Sequence, residues 1–258
     1  MNKDRNFNGI ADHFVRKIYG GLKGQIRLDV LWRDLSEQVL PHLPSQANVI
    51  DAGAGLAQLA IKLAQRGHNV TINDISTEML TLAKESAKSA ELSNNTQWLQ
   101  SPLQQLTQQL PGKTFDLVIC HAVLEWLAQP AEAIPYLRSL MTEEGWLSLT
   151  FYNRDGLVYH NLMRGNFNKA ISKDFAGDPN SLTPSNPLSL AEVTGWLQKQ
   201  GLMVVYKSGI RVFHDYVRQP SGGNLLPEEV RRMELRHSNC EPFAGLGRYI
   251  HLLCRPQR

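Results

Sequence analysis

The feature that most constrains this 258-residue chain is a repeated alternation, from Asn48 onward, of short apolar segments with segments of helical spacing. Strands are predicted at 48–51, 69–73, 96–99, 115–120 and 145–151, each of them short and rich in apolar residues. Helices are predicted between them, from Leu56 to Gln65 and from about Ser76 to Glu91. Nearly continuous apolar strands alternating with helices are typical of a parallel sheet covered on both faces. The expected fold class is therefore α/β, with a doubly wound, Rossmann-like sheet.

Three segments lie outside this alternation. Residues 1–45 are predicted to form a helical cap near the ligand end of the sheet, with apolar residues on one helix face at Ile26, Val30, Leu31, Leu35 and Val39. Residues 165–188 are rich in Asn, Ser, Pro and Asp and predict a long surface loop or lid. After a helix from Leu190 to Lys199, two strand-like stretches around Ser208-Gly209 and a last strand at 249–254 predict an antiparallel edge. We expect one domain, 1–258, whose C-terminal part is 189–258.

Composition excludes several classes of protein. A mean hydropathy of −0.29 and the lack of a long apolar run argue against a membrane span, and the polar first residues argue against a secretory signal. Three cysteines without a paired spacing predict neither a disulfide framework nor a zinc site, so we expect no metal and a cytoplasmic location. The first 150 residues carry 13 basic and 15 acidic side chains, and the remainder carries 14 and 9. The basic C-terminal part favours an anionic partner, for which nucleic acid is the obvious candidate.

The most informative motif is the glycine turn that follows the first strand. Gly53 and Gly55 allow a tight turn and a close approach to a ligand, but Gln58 breaks the GxGxxG pattern of dinucleotide sites. Asp51 would place a carboxylate beside the ligand, which disfavours a pyrophosphate and favours a cation. Asp74, at the end of the second strand, is placed to bind ribose hydroxyls. These residues favour a cationic, ribose-bearing cofactor without a pyrophosphate, a description that S-adenosylmethionine fits and NAD does not.

The Asp-x-Gly-x-Gly turn followed by Asp74 resembles class I S-adenosylmethionine-dependent methyltransferases. The resemblance implies a mostly parallel seven-stranded sheet with an antiparallel edge. It also implies that Gly53 and Ala54 line the cofactor, that Leu103 and Gln104 contact the adenine, and that His121 faces the sulfonium. Arg27 would meet the cofactor carboxylate. The candidate cofactor-binding residues are thus Arg27, Asp51, Gly53, Ala54, Gly55, Asp74, Leu103, Gln104 and His121.

A closer resemblance, to the bacterial tRNA 5-carboxymethoxyuridine methyltransferases, covers nearly the whole chain. The matching blocks begin at Asp4-Arg-Asn-Phe, Ile18-Tyr-Gly, Lys23-Gly-Gln-Ile-Arg, His121-Ala-Val-Leu-Glu-Trp, Phe151-Tyr-Asn, Gly165-Asn-Phe, Gly209-Ile-Arg-Val-Phe-His-Asp-Tyr and Leu246-Gly-Arg-Tyr-Ile-His. That family esterifies the carboxylate of 5-carboxymethoxyuridine at the tRNA wobble position, so the resemblance implies the anticodon arm of tRNA as partner. The chain departs from the family at Ala54 and Ala57 in the cofactor turn and at Pro135, which is expected to kink or bound a helix.

Methyl transfer to a carboxylate requires no general base, because the nucleophile is already ionised at neutral pH. Catalysis is then expected to rest on orientation, with Arg or Tyr donors holding the carboxylate. The candidates for this clamp are Arg211, His214, Tyr216, Tyr152, Asn153 and Arg248. Strand alternation would place Arg211, Phe213 and Asp215 on one face and Val212, His214 and Tyr216 on the other. The residues of both faces therefore cannot all be ligands. Tyr19 and Tyr152 are further candidates, for stacking on the uridine, although a core role is equally compatible with the sequence.

A group of basic residues in the C-terminal part is predicted to follow tRNA phosphates: Arg154, Arg164, Lys169, Lys173, Arg218, Arg231, Arg232 and Arg236. Two other functions are compatible with the residues alone. The chain could methylate a small-molecule acid or quinone, in which case the basic half would be incidental. It could also bind the cofactor as a partner protein without turnover.

Overall fold

The computed structural model describes residues 4–9, 11, 19–88, 92, 95–172, 184, 186–217 and 226–257. The strands in this part of the chain are β1 (Asn48–Ala52), β2 (Asn69–Asp74), β3 (Thr96–Gln100), β4 (Phe115–His121), β5 (Met141–Tyr152), β6 (Leu202–Ile210) and β7 (Tyr249–Pro256). The α-helices are α1 (Gly21–Asp34), α2 (Gln58–Gln65), α3 (Thr77–Lys88), α4 (Leu106–Gln109), α5 (Ala133–Ser139), α6 (Arg154–Met163), α7 (Phe167–Ser172), α8 (Leu190–Lys199), α9 (Pro227–His237) and α10 (Phe243–Leu246). A π-helical turn (Leu35–Val39) and a 3-10 turn (Leu40–His42) extend α1, and further 3-10 turns span Leu103–Gln105, Leu124–Trp126 and Pro130–Glu132.

The described strands form one seven-stranded sheet in the order β3-β2-β1-β4-β5-β7-β6. Strands β1 to β5 pair in parallel, and β7 is antiparallel to both β5 and β6. The predicted fold class, with its antiparallel edge, is confirmed. Among the described strands β7 alone is antiparallel, and it lies one position in from the edge. The edge strand β6 runs in the same direction as β1 to β5.

The sheet is buried on both faces, as its nearly continuous apolar strands require. In β1, Val49 packs into the core cluster that contains Ile26 and Leu31 of α1, whereas the next residue, Ile50, packs into the cluster on the opposite face. The alternation of side chains along a strand explains this division. The predicted helical cap therefore packs on one face of the sheet through its apolar stripe. No helix in the described ranges is long and apolar enough to cross a membrane.

Local structure differs from the sequence prediction in three places. Helix α2 begins at Gln58 rather than Leu56, because Ala57 before it adopts a left-handed conformation with φ 54°. The stretch predicted as two strands is one strand, β6, which ends at Ile210. Within the predicted loop 165–188, residues 167–172 are helical, and 173–183 and 185 lie outside the described residues. Pro135 falls in the first turn of α5, where the chain passes from a 3-10 turn into the helix, so it marks a boundary as expected.

Candidate active site

A cleft of about 770 Å³ opens at the carboxyl ends of β1, β2 and β4. This is the edge at which ligands bind in doubly wound sheets. A smaller lobe adjoins it, and Tyr19, Arg27, Gly53 and His121 line both. Every predicted cofactor-binding residue lines one lobe or the other. The sequence-based candidates are thus brought together in one place, although their roles toward a ligand stay predictions.

The glycine turn after β1 is held by the neighbouring strand. The Gly53 and Ala54 amides donate to the Asn73 carbonyl at 2.9 and 2.8 Å, and the Gly55 amide donates to Asp74 Oδ2 at 2.9 Å. Gly53 and Gly55 have φ values of +80° and +56°. A side chain at either position would be strained and obstructed, because a Cβ would lie 2.4 Å from Val123 Cγ2 at the former and 2.1 Å from the Tyr19 hydroxyl at the latter.

Asp51 ends this strand as a buried carboxylate inside the smaller lobe. Burial, with a further contribution from the charge of Asp74 and against the opposing Arg27 guanidinium, raises the pKa of Asp51 to about 7. Arg27 projects from α1, and its guanidinium lies 4.8 Å from the centre of the Tyr19 ring. The smaller lobe therefore presents one cation and one poorly compensated carboxyl, which suits a ligand end that carries both an anionic and a cationic group.

Asp74 ends β2 and lies at the wall of the larger lobe. Its two carboxylate oxygens accept the amides of Gly55 and Ser76 at 2.9 and 2.8 Å. Burial raises the pKa of Asp74, and these backbone hydrogen bonds oppose that rise. Each oxygen keeps a lone pair, so the fixed carboxylate suits the recognition of a pair of hydroxyl groups.

The larger lobe has an aromatic and apolar wall that sequence reasoning did not assign to the site. Phe7 and Trp126 pack edge to face at 5.1 Å, and the Arg5 guanidinium lies 5.1 Å from the Trp126 ring. Asp4 fixes this segment across the cleft, because its carboxylate accepts the Gln104 side-chain amide and the Ala128 backbone amide, both at 2.8 Å. The signal was present in the sequence, since both the Asp4-Arg-Asn-Phe block and Trp126 belong to the family resemblance.

His121 ends β4 at the junction of the two lobes. Its Nε2 atom lies 2.8 Å from Ser148 Oγ, and its ring meets that of His251 edge to face at 5.4 Å. Burial, and to a smaller extent the neighbouring His251 and Arg27 side chains, hold the pKa of His121 well below its ordinary value. His121 therefore faces the cleft as a neutral imidazole at neutral pH.

A second cluster lies along the same sheet edge, where β5 ends and β7 begins. Thr150 is in register with His121, and Tyr152 is in register with Tyr249, so this cluster is about one strand spacing from the cleft. Its centre is the Asp215 carboxylate, which accepts from His214 Nδ1 at 3.2 Å. Three cations surround Asp215: Arg211 at 3.6 Å, Arg248 at 3.9 Å and Lys23 at 4.0 Å. We call this set, with Tyr152, the cationic cluster.

Burial alone would raise the pKa of Asp215, but the hydrogen bond from His214 and the surrounding cations outweigh it and hold that pKa far below its ordinary value. Asp215 therefore stays ionised, and the three cations around it exceed its charge. The Arg248 guanidinium lies 5.1 Å from the centre of the Tyr152 ring. Its Nη1 atom is buried and has no hydrogen-bond partner within the described part of the chain. A buried guanidinium donor without a partner, in a cluster with excess positive charge, suits an anionic ligand.

Residues 211–216 form a turn, so the predicted strand alternation is wrong here. Arg211 has φ +60°, which ends the extended backbone of β6. The buried Glu234 of α9 then accepts the amides of Val212, Phe213 and His214 at 2.8, 3.2 and 2.7 Å. Because the turn folds back, Arg211, His214 and Asp215 all contribute to one cluster rather than to opposite faces of a sheet.

Three of the residues predicted to contact the substrate lie outside the cationic cluster or have other bonding partners. The Tyr216 hydroxyl contacts the carbonyl oxygens of Leu246 and Gly156 at 2.5 and 3.0 Å, so its donor is engaged with the backbone. Asn153 donates to the carbonyls of Gly245 and Gly247 and caps α6. Tyr19 lies in the cofactor cleft rather than among the cationic cluster. Arg211, Arg248 and Tyr152 remain together as candidates, and His214 contacts Asp215.

The predicted phosphate-binding residues divide into two groups. Arg154, Arg231 and Arg232 form ion pairs with Glu192, Asp29 and Glu229. Arg231 makes two hydrogen bonds to Asp29 of α1 and so joins α9 to the cap. Arg164, Lys169 and Arg236 form no ion pair with any of the described acidic residues, whereas Lys173 and Arg218 lie outside the described residues.

The cleft fits the predicted cofactor in its chemistry. Gly53 and Gly55 present no side chain to a ligand, Asp74 suits two hydroxyls, and the apolar wall around Trp126 suits a purine. Arg27 and Asp51 suit an amino acid's carboxylate and ammonium. No group of three or more His, Cys, Asp or Glu side chains in the described ranges is arranged to hold a metal ion.

Comparisons with known proteins agree with this geometry. A family model described as a methyltransferase domain matches residues 50–149. The tRNA 5-carboxymethoxyuridine methyltransferase of Escherichia coli (strain K12) is 40% identical over 98% of this chain and 97% of its own length. The ubiquinone biosynthesis O-methyltransferase of Colwellia psychrerythraea is 30% identical over 63% of each chain. The solved magnesium protoporphyrin IX methyltransferase of Synechocystis PCC 6803, with bound SAH, has a similar fold, with a TM-score of 0.65, 20% identity and coverage of 98% and 96%.

Proposed function

The chain belongs to the family of tRNA 5-carboxymethoxyuridine methyltransferases, and from this premise we propose that it methylates the carboxylate of 5-carboxymethoxyuridine at the wobble position of tRNA. It is an S-adenosylmethionine-dependent methyltransferase. The product is the methyl ester, 5-methoxycarbonylmethoxyuridine. We expect the enzyme to act in the cytoplasm, as one domain, on the anticodon arm.

The observation that supports this acceptor most directly is the cationic cluster beside His121. Arg211, Arg248 and Lys23 exceed the single charge of Asp215, and Arg248 Nη1 is buried without a partner in the described residues. One further carboxylate would reduce the excess charge and accept a hydrogen bond from that donor. A neutral acceptor such as a phenol would leave both uncompensated.

The residues of the cleft divide the binding of the cofactor among themselves. Arg27 and Asp51 would hold the amino acid end, Asp74 the ribose, and Leu103, Gln104 and the Trp126 wall the adenine. When bound, S-adenosylmethionine supplies an electrophilic methyl group on a sulfonium that leaves as a neutral thioether. Phe7 and Trp126 exclude water from the larger lobe, which strengthens the electrostatic interactions there.

The cationic cluster would hold the acceptor carboxylate for in-line attack. No residue needs to remove a proton, because the carboxylate is ionised at neutral pH. Arg248 is the main donor in this proposal, and Arg211 the second. Tyr152 packs against the Arg248 guanidinium and restricts its orientation. Catalysis then consists of orientation and partial desolvation of two reactants, contributions that are large when the geometry is fixed.

The proposal also includes a surface for the tRNA on α6, α7 and α9. Arg164, Lys169 and Arg236 are its phosphate-binding candidates, and Phe167, which is 58% exposed, adds an aromatic side chain on the same helix as Lys169. Exposed aromatic and basic residues together are typical of surfaces that bind single-stranded nucleotides.

The test uses tRNA from a strain in which the gene is deleted. Purified enzyme and S-adenosylmethionine are added to this tRNA, and the wobble nucleosides are analysed by mass spectrometry. We expect 5-carboxymethoxyuridine to be converted to its methyl ester, and the ester to be missing from the deletion strain before addition. Unchanged ester levels in the deletion strain, or methylation of a small acid without any of tRNA, would refute the proposal.

A further inference from the structure

A chain of buried hydrogen bonds leads from the cofactor cleft through the sheet to α1. His121 Nε2 lies 2.8 Å from Ser148 Oγ, Ser148 Oγ lies 2.8 Å from His251 Nε2, and His251 Nδ1 lies 2.7 Å from Asp34 Oδ2. Ser148, His251 and Asp34 are each 0% exposed. A polar chain of this length inside a hydrophobic core is costly unless every member is satisfied, so its arrangement of protons is tightly constrained.

Asp34 fixes one end of the chain. Its other oxygen, Oδ1, accepts from Arg33 Nη2 at 2.5 Å and from Arg33 Nε at 2.9 Å. Arg33 is itself held by the Leu235 carbonyl and the Ser208 hydroxyl. Burial alone would raise the pKa of Asp34, but the hydrogen bond from His251 and the neighbouring Arg33 guanidinium outweigh it and lower that pKa. Asp34 is therefore ionised at neutral pH and acts only as an acceptor.

The ionised Asp34 determines where the protons lie along the chain of hydrogen bonds. Because Asp34 only accepts, His251 Nδ1 carries a hydrogen, and a neutral His251 then presents a lone pair at Nε2. The Ser148 hydroxyl has one proton and touches two ring nitrogens, so it donates to one and accepts from the other. It donates to His251 and accepts from His121, which requires a hydrogen on His121 Nε2. A neutral His121 then has no hydrogen on Nδ1.

We propose that Asp34, His251 and Ser148 are positioning residues, which hold His121 as its Nε2–H tautomer and so leave Nδ1 as a hydrogen-bond acceptor for the cofactor cleft. Ser148 occupies Nε2, so Nδ1 is the ring nitrogen that remains for a ligand. A lone pair in that position attracts the sulfonium or the ammonium of the cofactor, whereas an N–H would repel either. The inference rests on the cofactor of the proposed function and is independent of its tRNA substrate.

A single proton on His251 would reverse the chain. His251 Nε2–H would then donate to Ser148, the hydroxyl would donate to His121 Nε2, and the hydrogen of His121 would move to Nδ1. The charged and titratable groups in contact with His251 are Asp34 from α1 and His121 from β4. Arg33 bonds to Asp34, Tyr206 of β6 lies near Asp34 and Arg33, and Arg27 lies near His121.

The test is NMR spectroscopy of the full-length protein with 15N-labelled histidine, because the two ring nitrogens of each tautomer have distinct chemical shifts. The His121 signals are assigned by their loss in His121→Gln. At pH 7.5 we expect the Nε2–H tautomer for His121 in the wild-type protein. An Nδ1–H tautomer or an imidazolium in the wild-type protein would overturn the proposal without any variant.

Variants then test the positioning role. In Ser148→Ala we expect a mixture of His121 tautomers and a three- to tenfold weaker affinity for S-adenosylmethionine, measured by calorimetry, as for the loss of one buried hydrogen bond. Thr71→Val is the matched control, because Thr71 is likewise a buried hydroxyl residue on a central strand but takes no part in this chain of hydrogen bonds. It should keep the wild-type tautomer. An unchanged tautomer and affinity in Ser148→Ala would also overturn the proposal.

Discussion

The affinity for S-adenosylmethionine should depend on pH through Asp51. Burial and the neighbouring Asp74 carboxylate, opposed by Arg27, raise the pKa of Asp51 to about 7. A cationic ligand binds the ionised form, so protonation of Asp51 competes with binding. With a pKa of about 7, roughly three quarters of the Asp51 carboxyls are ionised at pH 7.5 and about 3% at pH 5.5. The affinity should therefore fall about 25-fold between these values, or by ~1.9 kcal/mol.

Isothermal titration calorimetry measures this dependence. The pH window lies below the pKa of the cofactor's own α-amino group, about 7.7–8.0 for such groups, so that group stays mostly protonated. At pH 6.5, binding should release about three quarters of a proton from Asp51, which is detected by repeating the titration in buffers of different ionisation enthalpy. Burial holds the pKa of His121 well below its ordinary value, so Asp51 is the main titrating group of the cleft in the upper part of this window.

Asp51→Asn should bind more weakly at pH 7.5 and lose most of the pH dependence, and any remainder belongs to Asp74, whose pKa is also raised. Glu143→Gln is the matched control, because the Glu143 side chain is 89% exposed and distant from the cleft. It should reproduce the wild-type curve. If the wild-type affinity were constant from pH 7.5 to 5.5, or if Asp51→Asn kept the wild-type slope, the role given to Asp51 would be wrong.

Four further substitutions test other parts of the enzyme. Arg248→Gln should lower kcat/KM for tRNA 30- to 150-fold with cofactor affinity unchanged, as for the loss of a charge-assisted hydrogen bond of about 2–3 kcal/mol. The control is Arg255→Gln, at the far end of β7. Equal kcat/KM values in the two variants would contradict the role of Arg248 in holding the carboxylate. Glu234→Leu should lower the free energy of unfolding in urea by about 3 kcal/mol, because it leaves three backbone amides without their acceptor, and an unchanged unfolding midpoint would refute that reasoning. Phe167→Ala should weaken tRNA binding about tenfold in a filter-binding assay without altering its salt dependence. Lys169→Gln should reduce the slope of log affinity against log salt concentration by about 1. Equal tRNA affinity in the wild-type protein and both variants would exclude α7 from the surface.

The sheet and the cofactor cleft were predictable because both depend on local sequence. Strands that are buried on both faces are continuous in apolar residues, and helices between them repeat at helical spacing, so the order of elements is readable. The glycine turn was equally local, since a tight turn after a strand needs Gly53 and Gly55 within a few residues. Asp51 and Asp74 follow from the same geometry, because the carboxyl ends of parallel strands lie at one edge of the sheet.

The turn at 211–216 was not predictable, because its cause lies elsewhere in the chain. The stretch Arg-Val-Phe-His-Asp-Tyr contains no glycine, proline or asparagine, so nothing in it marks the positive φ of Arg211. The turn is fixed by Glu234, a helix residue that takes three of its amides. The Asp4–Phe7 wall has a similar origin, because Asp4 meets Gln104 and Ala128 only in the folded chain. Long-range capture of backbone donors by one buried carboxylate has no local signature.

The charge that matters for the acceptor is local, and the division into an acidic and a basic half did not reveal it. Lys23 belongs to the acidic half, yet it joins Arg211 and Arg248 around Asp215. In the proposed reaction the acceptor enters this cluster as a carboxylate and leaves as a neutral ester. The cations therefore attract the substrate, but Asp215 is again their only carboxylate among the described residues once the methyl group is transferred, and Arg248 Nη1 loses its charged acceptor. The same excess of positive charge that orients the nucleophile thus weakens the binding of the product, so the cluster favours both the selection of a charged acceptor and its release once that charge is gone.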